Sequence, residues 1–216
     1  MEGYEYLNAA IAAQKAGPGH TEEAKNYFQM ILQDDPDNSI AQFFNTYYAI
    51  VAEDAHTLYD RYMTFSDIMQ LAIVESYGLD MSEDKKEDIV EEIADTIRML
   101  PMFVHQKLDK ITHGKEAREQ LEQVNRSSIL HFYFLGDNIE LIYTENSPIT
   151  KNIAVEMWKA GIKLQCQWVG VPCDKEDLTK YSEKIKKYEP DYIPPKENPL
   201  RKLIARAILL LSKNQG

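Results

Sequence analysis

Residues able to do chemistry are thinly spread in this chain. Its five histidines, His20, His56, His105, His113 and His131, include no pair at i, i+4, and no cysteine stands at ligand spacing from any of them. Zinc ribbons and metalloprotease helices need such fixed spacings, so neither is written here. Glu53 and His56 lie three apart, which puts a carboxylate and an imidazole on one helix face as in carboxylate-bridged di-iron bundles. A centre of that kind uses the motif twice with two further glutamates, and no second copy occurs, so the pair reads as a polar helix start. His131 sits among Leu130, Phe132 and Phe134, the setting of a core or boundary histidine satisfied by one hydrogen bond. Cys173 has Asp174 beside it, and an acidic neighbour raises a thiol's pKa, against a reactive thiolate. Cys166 and Cys173 read as free thiols, since one pair in 216 residues is no disulfide framework. Neither a phosphate-cradling glycine loop nor a nucleophile elbow is present. The expectation is no catalytic residue, no metal ligand and no cofactor.

Composition narrows the class. With 44% apolar residues in 216, the chain can fill one sizeable core or two small ones. Nine glycines and nine prolines, with long stretches free of both, favour helices over a sheet that needs frequent turns. Lys and Arg number 24 against 35 Asp and Glu, and the net charge of −11 repels a phosphate backbone. Nucleic acid is therefore not an expected partner. The opening M-E-G-Y-E-Y-L-N lacks the basic-then-apolar order of a signal peptide, and no run reaches the roughly 20 apolar residues of a membrane span. A cytoplasmic protein without stable membrane insertion is expected.

The elements that would position any site are helical throughout. Tyr4 to Lys15 is an alanine-rich first arm whose packing face is either Asn8, Ile11 and Ala12 or Tyr6, Ala9 and Ala10. Thr21, followed by Glu22 and Glu23, is a natural start for a second arm on which Ala24, Phe28 and Ile31 keep helical spacing before Pro36 stops it. A third helix over 39–52 carries Phe43, Phe44, Tyr47 and Tyr48, too broad an arc for all four to face one core. Apolar spacing then predicts helices from His56 to Tyr77 and from Ser82 to Ile111, the latter kinked or broken by Pro101. Another runs from near Lys115 past Ile142. Its segment 129–135 is short enough for a strand, but the charged sequence upstream and D-N-I-E-L-I-Y downstream continue a helical period. A wide-faced helix follows Pro148, with Ile153, Trp158, Ile162 and Trp168, and a short charged one carries Leu178, Tyr181, Ile185 and Tyr188. Four prolines within 189–199 make a semi-rigid connector to an amphipathic end bearing Leu203, Ile204 and Ile208.

Over about 35 residues, the run G-H-T-E-E-A, the spacing Ala24, Phe28, Ile31 and Pro36, and the closing D-P-D-N resemble the back half of a tetratricopeptide repeat. The resemblance implies a helical hairpin, and a surface that holds other proteins or peptides without chemistry of its own. One and a half repeats do not make a stable solenoid, so the rest of the chain completes the core. The fold expected is all-α: the hairpin with a third helix over 1–52, an antiparallel bundle over 53–189, a linker over 190–199, and an amphipathic helix over 200–213.

The function expected is a non-enzymatic scaffold or adaptor that binds a protein or peptide. Position in the repeat points to Asn8, Gln42, Asn45 and Tyr48, on inner faces of the first and third helices, as contacts. Leu203, Ile204 and Ile208 offer a second apolar face, for docking on the acidic body, in a partner's groove, in a homodimer or on a membrane surface. Docking on the chain's own body is preferred among these, because its acidity complements the basic end. A competing reading has Trp158, Trp168, His131 and Tyr133 enclosing a small ligand or a catalytic pocket in the bundle. A closed polar pocket with paired titratable groups would favour that reading, and an open groove the adaptor.

Overall fold

The computed structural model describes residues 3–52, 60–111, 115–167 and 174–200. Every regular element among them is helical and none is a strand, as the periodicity predicts. Helices α1 (Gly3–Lys15) and α2 (Thr21–Asp34) pack as a hairpin, and α3 (Ser39–Ala52) lies on α2. Then come α4 (Phe65–Gly78), the long α5 (Glu83–Ile111) and the equally long α6 (Lys115–Tyr143). A π-helical turn at Thr150–Ala154 leads into α7 (Val155–Gln167), and α8 (Lys175–Tyr188) closes the array.

Local chemistry explains the joints. Gly17 takes φ +92°, where a side chain would be strained, and a 3-10 turn at Pro18–His20 follows. Thr21 is consequently inside α2 instead of capping it, and its hydroxyl donates back to the Pro18 carbonyl at 3.1 Å. Asn38 caps α3 by accepting the Ala41 amide at 2.9 Å. Asp174 caps α8 by accepting the Glu176 and Asp177 amides at 2.8 and 3.2 Å. The single helix expected over 56–77 pauses at Thr64, whose hydroxyl bonds the Asp60 and Arg61 carbonyls and competes with the backbone ladder. Pro101 does not break α5, because Ile97, Leu100, Val104 and Leu108 are buried on either side of it and hold the helix to the core.

One apolar core runs from α1 to α8. The first arm buries Leu7, Ala10, Ile11 and Ala13, a face that lies between the two registers expected, and Ala12 is exposed. Three of the four clustered aromatics are interior because α3 is covered on two sides. Phe44 stacks on Phe28 of α2 at 4.5 Å, while Phe43 meets Phe65 of α4 at 4.9 Å. Only Tyr47 is left half-buried. Beyond α8 the connector runs without regular structure and is tied down where the Asn198 amide donates to the Cys166 carbonyl at 3.0 Å.

The acidic start of α5 is partly spent internally. Asp88 and Glu91 bind Lys15 of α1 at 2.6 and 3.6 Å. Glu92 is 7% exposed, and burial together with Asp95, Glu91 and Asp88 pushes its carboxyl up to about 7 despite Lys15. The folded chain thus holds a proton that the unfolded chain, titrating near 4.5, releases. This contribution to stability is complete below 4.5 and is lost as the pH rises through about 7. Glu92→Gln is expected to match the parent in urea unfolding in acid and to exceed it by ~2 kcal/mol at about pH 8.

Candidate functional site

The most chemically distinctive region lies where α4, α6 and α8 meet, and it is built on an unusually close contact between α6 and α7. A Cβ at Gly136 would stand 2.5 Å from Trp158 Nε1, and one at Gly161 would stand 2.5 Å from Tyr133 Cε1. Each helix thus offers a glycine notch to an aromatic ring of the other. A glycine inside a helix costs about 1 kcal/mol relative to alanine, and here the seating of two large buried rings offsets that cost.

The notches fix the polar groups around them. Trp158 Nε1 donates to Asp137 Oδ1 at 3.0 Å, and the Tyr133 hydroxyl donates to Gln165 Oε1 at 2.6 Å. Gln165 Nε2 reaches the Asp174 carbonyl at 3.1 Å, joining α7 to the start of α8. From α8, Tyr181 stacks on Tyr133 at 3.7 Å with the planes 12° apart, and its hydroxyl donates to Asp137 Oδ2 at 3.0 Å. Lys184 donates to Asp137 at 2.8 Å and to Glu140 at 2.6 Å, with its ammonium 4.8 Å from the Trp158 ring centre. Burial works against that charge, but the two carboxylate bonds outweigh it and hold Lys184 above its ordinary value. Tyr188 completes the group by donating to Glu140 at 3.0 Å. Burial and the Asp137 carboxylate both raise Tyr181, which stays a neutral donor.

In front of this wall opens a cleft of about 510 Å³, lined by Met63, Ser66 and Asp67, by Ser127, Leu130, His131, Tyr133, Phe134 and Asp137 of α6, and by Tyr181. Leu130, Phe134, Asp137 and Leu141 fall at i, i+4, i+7 and i+11, one face of α6. Leu130 is 59% exposed and Leu141 78%, and Leu71 and Val74 of the flanking α4 are about half exposed. His131 is 4% exposed, meets the Tyr62 ring edge-on at 5.0 Å, and makes no hydrogen bond among the described residues. Burial lowers its pKa to about 4, so the imidazole is neutral near pH 7.

The residues singled out in the sequence are dispersed. Asn8 and Asn45 are half-buried. Gln42 is turned back to the Pro36 carbonyl at 2.7 Å, and Tyr48 is 7% exposed with its hydroxyl on Gln14 Oε1 at 2.5 Å. The Gln42 bond reaches the joint before α3 and stays exposed, whereas the Tyr48 bond ties α3 to α1. His131, Tyr133 and Trp158 do come together, the first two lining the cleft and Trp158 behind it through Asp137. Glu53, His56, His113, Trp168, Cys173, Leu203, Ile204 and Ile208 lie outside the described residues. His20 pairs with Glu23 on the surface at 2.9 Å, and His105 bonds Asn125. No three His, Cys, Asp or Glu side chains converge on a metal-sized space among the described residues. Sequence reasoning missed Gly136 and Gly161, although two glycines inside otherwise good helices are a legible sign of close backbone approach. It also missed Asp137, Glu140 and Lys184, whose pairing joins residues 47 and 44 apart in the chain.

No protein-family model, no curated protein and no solved structure matches this chain.

Two outcomes follow from this geometry. Gly136→Ala should destabilise by ~1–3 kcal/mol in urea unfolding, because the added carbon meets Trp158 and also the Ala154 carbonyl at 3.0 Å. Gly78→Ala, whose Cβ meets nothing within 4 Å, should be neutral or slightly stabilising. His131 makes the opposite pH contribution to Glu92: it is fully present above 6.5 and lost as the pH falls towards about 4, because only the unfolded chain gains that proton. Relative to the parent, His131→Leu should therefore gain ~2–3 kcal/mol between about pH 7 and about pH 4.

Proposed function

We propose that this protein is a non-enzymatic helical scaffold that holds a segment of a partner protein, acting in the cytoplasm, with the trough on α6 between α4 and α8 as the receiving surface. The observation that carries the reading is the exposed apolar floor of the trough. Leu130 and Leu141 stand in solvent on the same helix face as Phe134, and Leu71 and Val74 of α4, which packs on α6, are about half exposed, where a monomeric surface rarely gathers so many large apolar groups. A floor of one helix walled by two others suits an amphipathic helix laid along it, with anchors repeating at three and four residues.

The electrostatics support binding over acid–base chemistry. Asp137 is engaged by Trp158, Tyr181 and Lys184, and Glu140 by Lys184 and Tyr188, so these carboxylates serve the wall. The cleft is open at Leu130 and Met63, the shape that favours the adaptor over an enclosed catalytic pocket. The hairpin of α1 and α2 with α3 beside it supports reading the amino-terminal part as a repeat-like platform that braces α4. Among the described residues no helix is long and apolar enough to cross a membrane.

Selection of helical peptides from a random display library, followed by backbone-amide NMR mapping, tests this reading. Selected peptides should shift resonances of α4, α6 and α8 around the trough. The double change Leu130→Lys and Leu141→Lys should weaken their binding at least ~10-fold while leaving the urea midpoint unchanged, because both side chains are exposed. Peptides that bind equally well to the double variant would remove the trough as the receiving surface.

A further inference from the structure

Among the described residues, three clefts are candidates for a ligand. One, between α1, α2 and the end of α4, is rimmed by Asp34, Asp35 and Glu75 and holds about 400 Å³. Its carboxylates are ordinary surface acids, and Glu75 already accepts the Ser39 amide. A second, of about 450 Å³ between α5, α6 and α7, is floored by Pro101, Met102, Phe132 and Leu164, with His105 at its edge bonded to Asn125. The third differs because the imidazole of His131, which makes no hydrogen bond among the described residues, lines it.

A neutral imidazole has one N–H and one lone-pair nitrogen. At His131 both sit in a 4% exposed side chain that makes no hydrogen bond among the described residues, while the ring lines an open cleft. The His131 nitrogens are not fully shut off from solvent, so the ring edge meets the cleft, and a ligand seated there exchanges that solvent contact for a hydrogen bond of its own. Around the imidazole the lining is apolar and aromatic: Met63, Leu130, Phe134, Tyr133 and Tyr181. Sulfur and ring edges of this kind suit a flat aromatic body. Asp67 and Asp137 face the same space and disfavour an anion. A fully charged amine would lose its water against Met63, Leu130 and Phe134, and an aliphatic group would leave His131 unbonded.

We infer that the cleft takes the aromatic anchor of the partner segment, a tryptophan or tyrosine side chain whose N–H or O–H donates to the imidazole of His131. The inference rests on the peptide-binding reading above and specifies its anchor. It places a residue type enriched at binding hot spots in a pocket with a complementary acceptor. Ser66 and Ser127 also line the cleft, where Ser127 Oγ donates to Met63 Sδ at 3.1 Å.

Indole and 1-methylindole are the probes that decide it, since they share an aromatic body and differ in the single N–H. Each is titrated into the full-length protein, and the imidazole carbon-bound proton signals are followed by NMR, with the His131 signal assigned from its loss in His131→Phe. Indole is expected to bind about tenfold tighter than 1-methylindole, the ratio that one recovered hydrogen bond of ~1.4 kcal/mol gives. It should also move the His131 signal to saturation, and the preference should vanish in His131→Phe. Equal affinity of the two probes for the parent protein, or indole binding that leaves the His131 signal in place, overturns the inference; the first result does not depend on the variant folding. The anchor fails alone if trough-binding peptides are selected without a tryptophan or tyrosine over His131. The scaffold reading fails if no peptide reaches the trough, whatever the indole titration shows.

Discussion

The close approach of α6 and α7 is the constraint on which the rest of this structure depends. Gly136 and Gly161 remove two side chains, and the rings of Trp158 and Tyr133 occupy the space. Because each ring sits over the other helix's backbone, neither helix can slide or rotate without a clash or a void, and interiors packed at crystal density resist both. Trp158 then has one direction for its N–H, which sets Asp137, and Tyr133 has one plane, on which Tyr181 stacks. The position of α8 follows from the position of two rings.

Charge is used here to orient, with hydrophobic packing supplying the adhesion. Lys184, Asp137 and Glu140 form a cluster only partly screened from water, with side-chain exposures of 21%, 31% and 16%. Ion pairs of that exposure add little net stability, since lost hydration cancels most of the attraction. Their geometry is nevertheless specific: one ammonium bridges two carboxylates one helical turn apart and lies over an indole face. That specificity selects the register of α8 against α6 and keeps Tyr181 at the mouth of the cleft. Ile185, fully buried beside it, contributes the apolar burial that makes the docking favourable.

Burial also favours the neutral forms of the Glu92 carboxyl and the His131 imidazole. Glu92 keeps its proton into the neutral range and His131 sheds its own well below it. Between about pH 4.5 and 6.5 their linkage to folding has opposite sign, so the two pH dependences offset one another. Stability over that interval is flatter than either group alone would make it.

Fold class was legible in the sequence because a helix writes its buried face into local spacing. The stripes Ala24, Phe28 and Ile31, and Ile89, Ile93, Ile97 and Leu100, are all interior, and the ambiguous segment 129–135 is helical as its flanks imply. Joints were less legible. Thr21 had the chemistry of a cap, but the turn at Gly17 and Pro18 started the helix one residue early, and α5 carries Pro101 because packing on both sides outweighs one lost amide bond. The internal partners of Gln42 and Tyr48, Pro36 and Gln14, were not legible from spacing, since they are set by how α3 docks on the hairpin. Nor could the cleft: His131 read as a satisfied core residue, and only the placement of α4 and α8 on either side of α6 leaves its imidazole facing an open space. Periodicity is a property of neighbours in sequence, so the chain by itself determined which faces are buried. Which buried faces meet, and what gap they leave, depends on ring shapes and glycine notches brought together from distant positions, and that was decided by the tertiary structure.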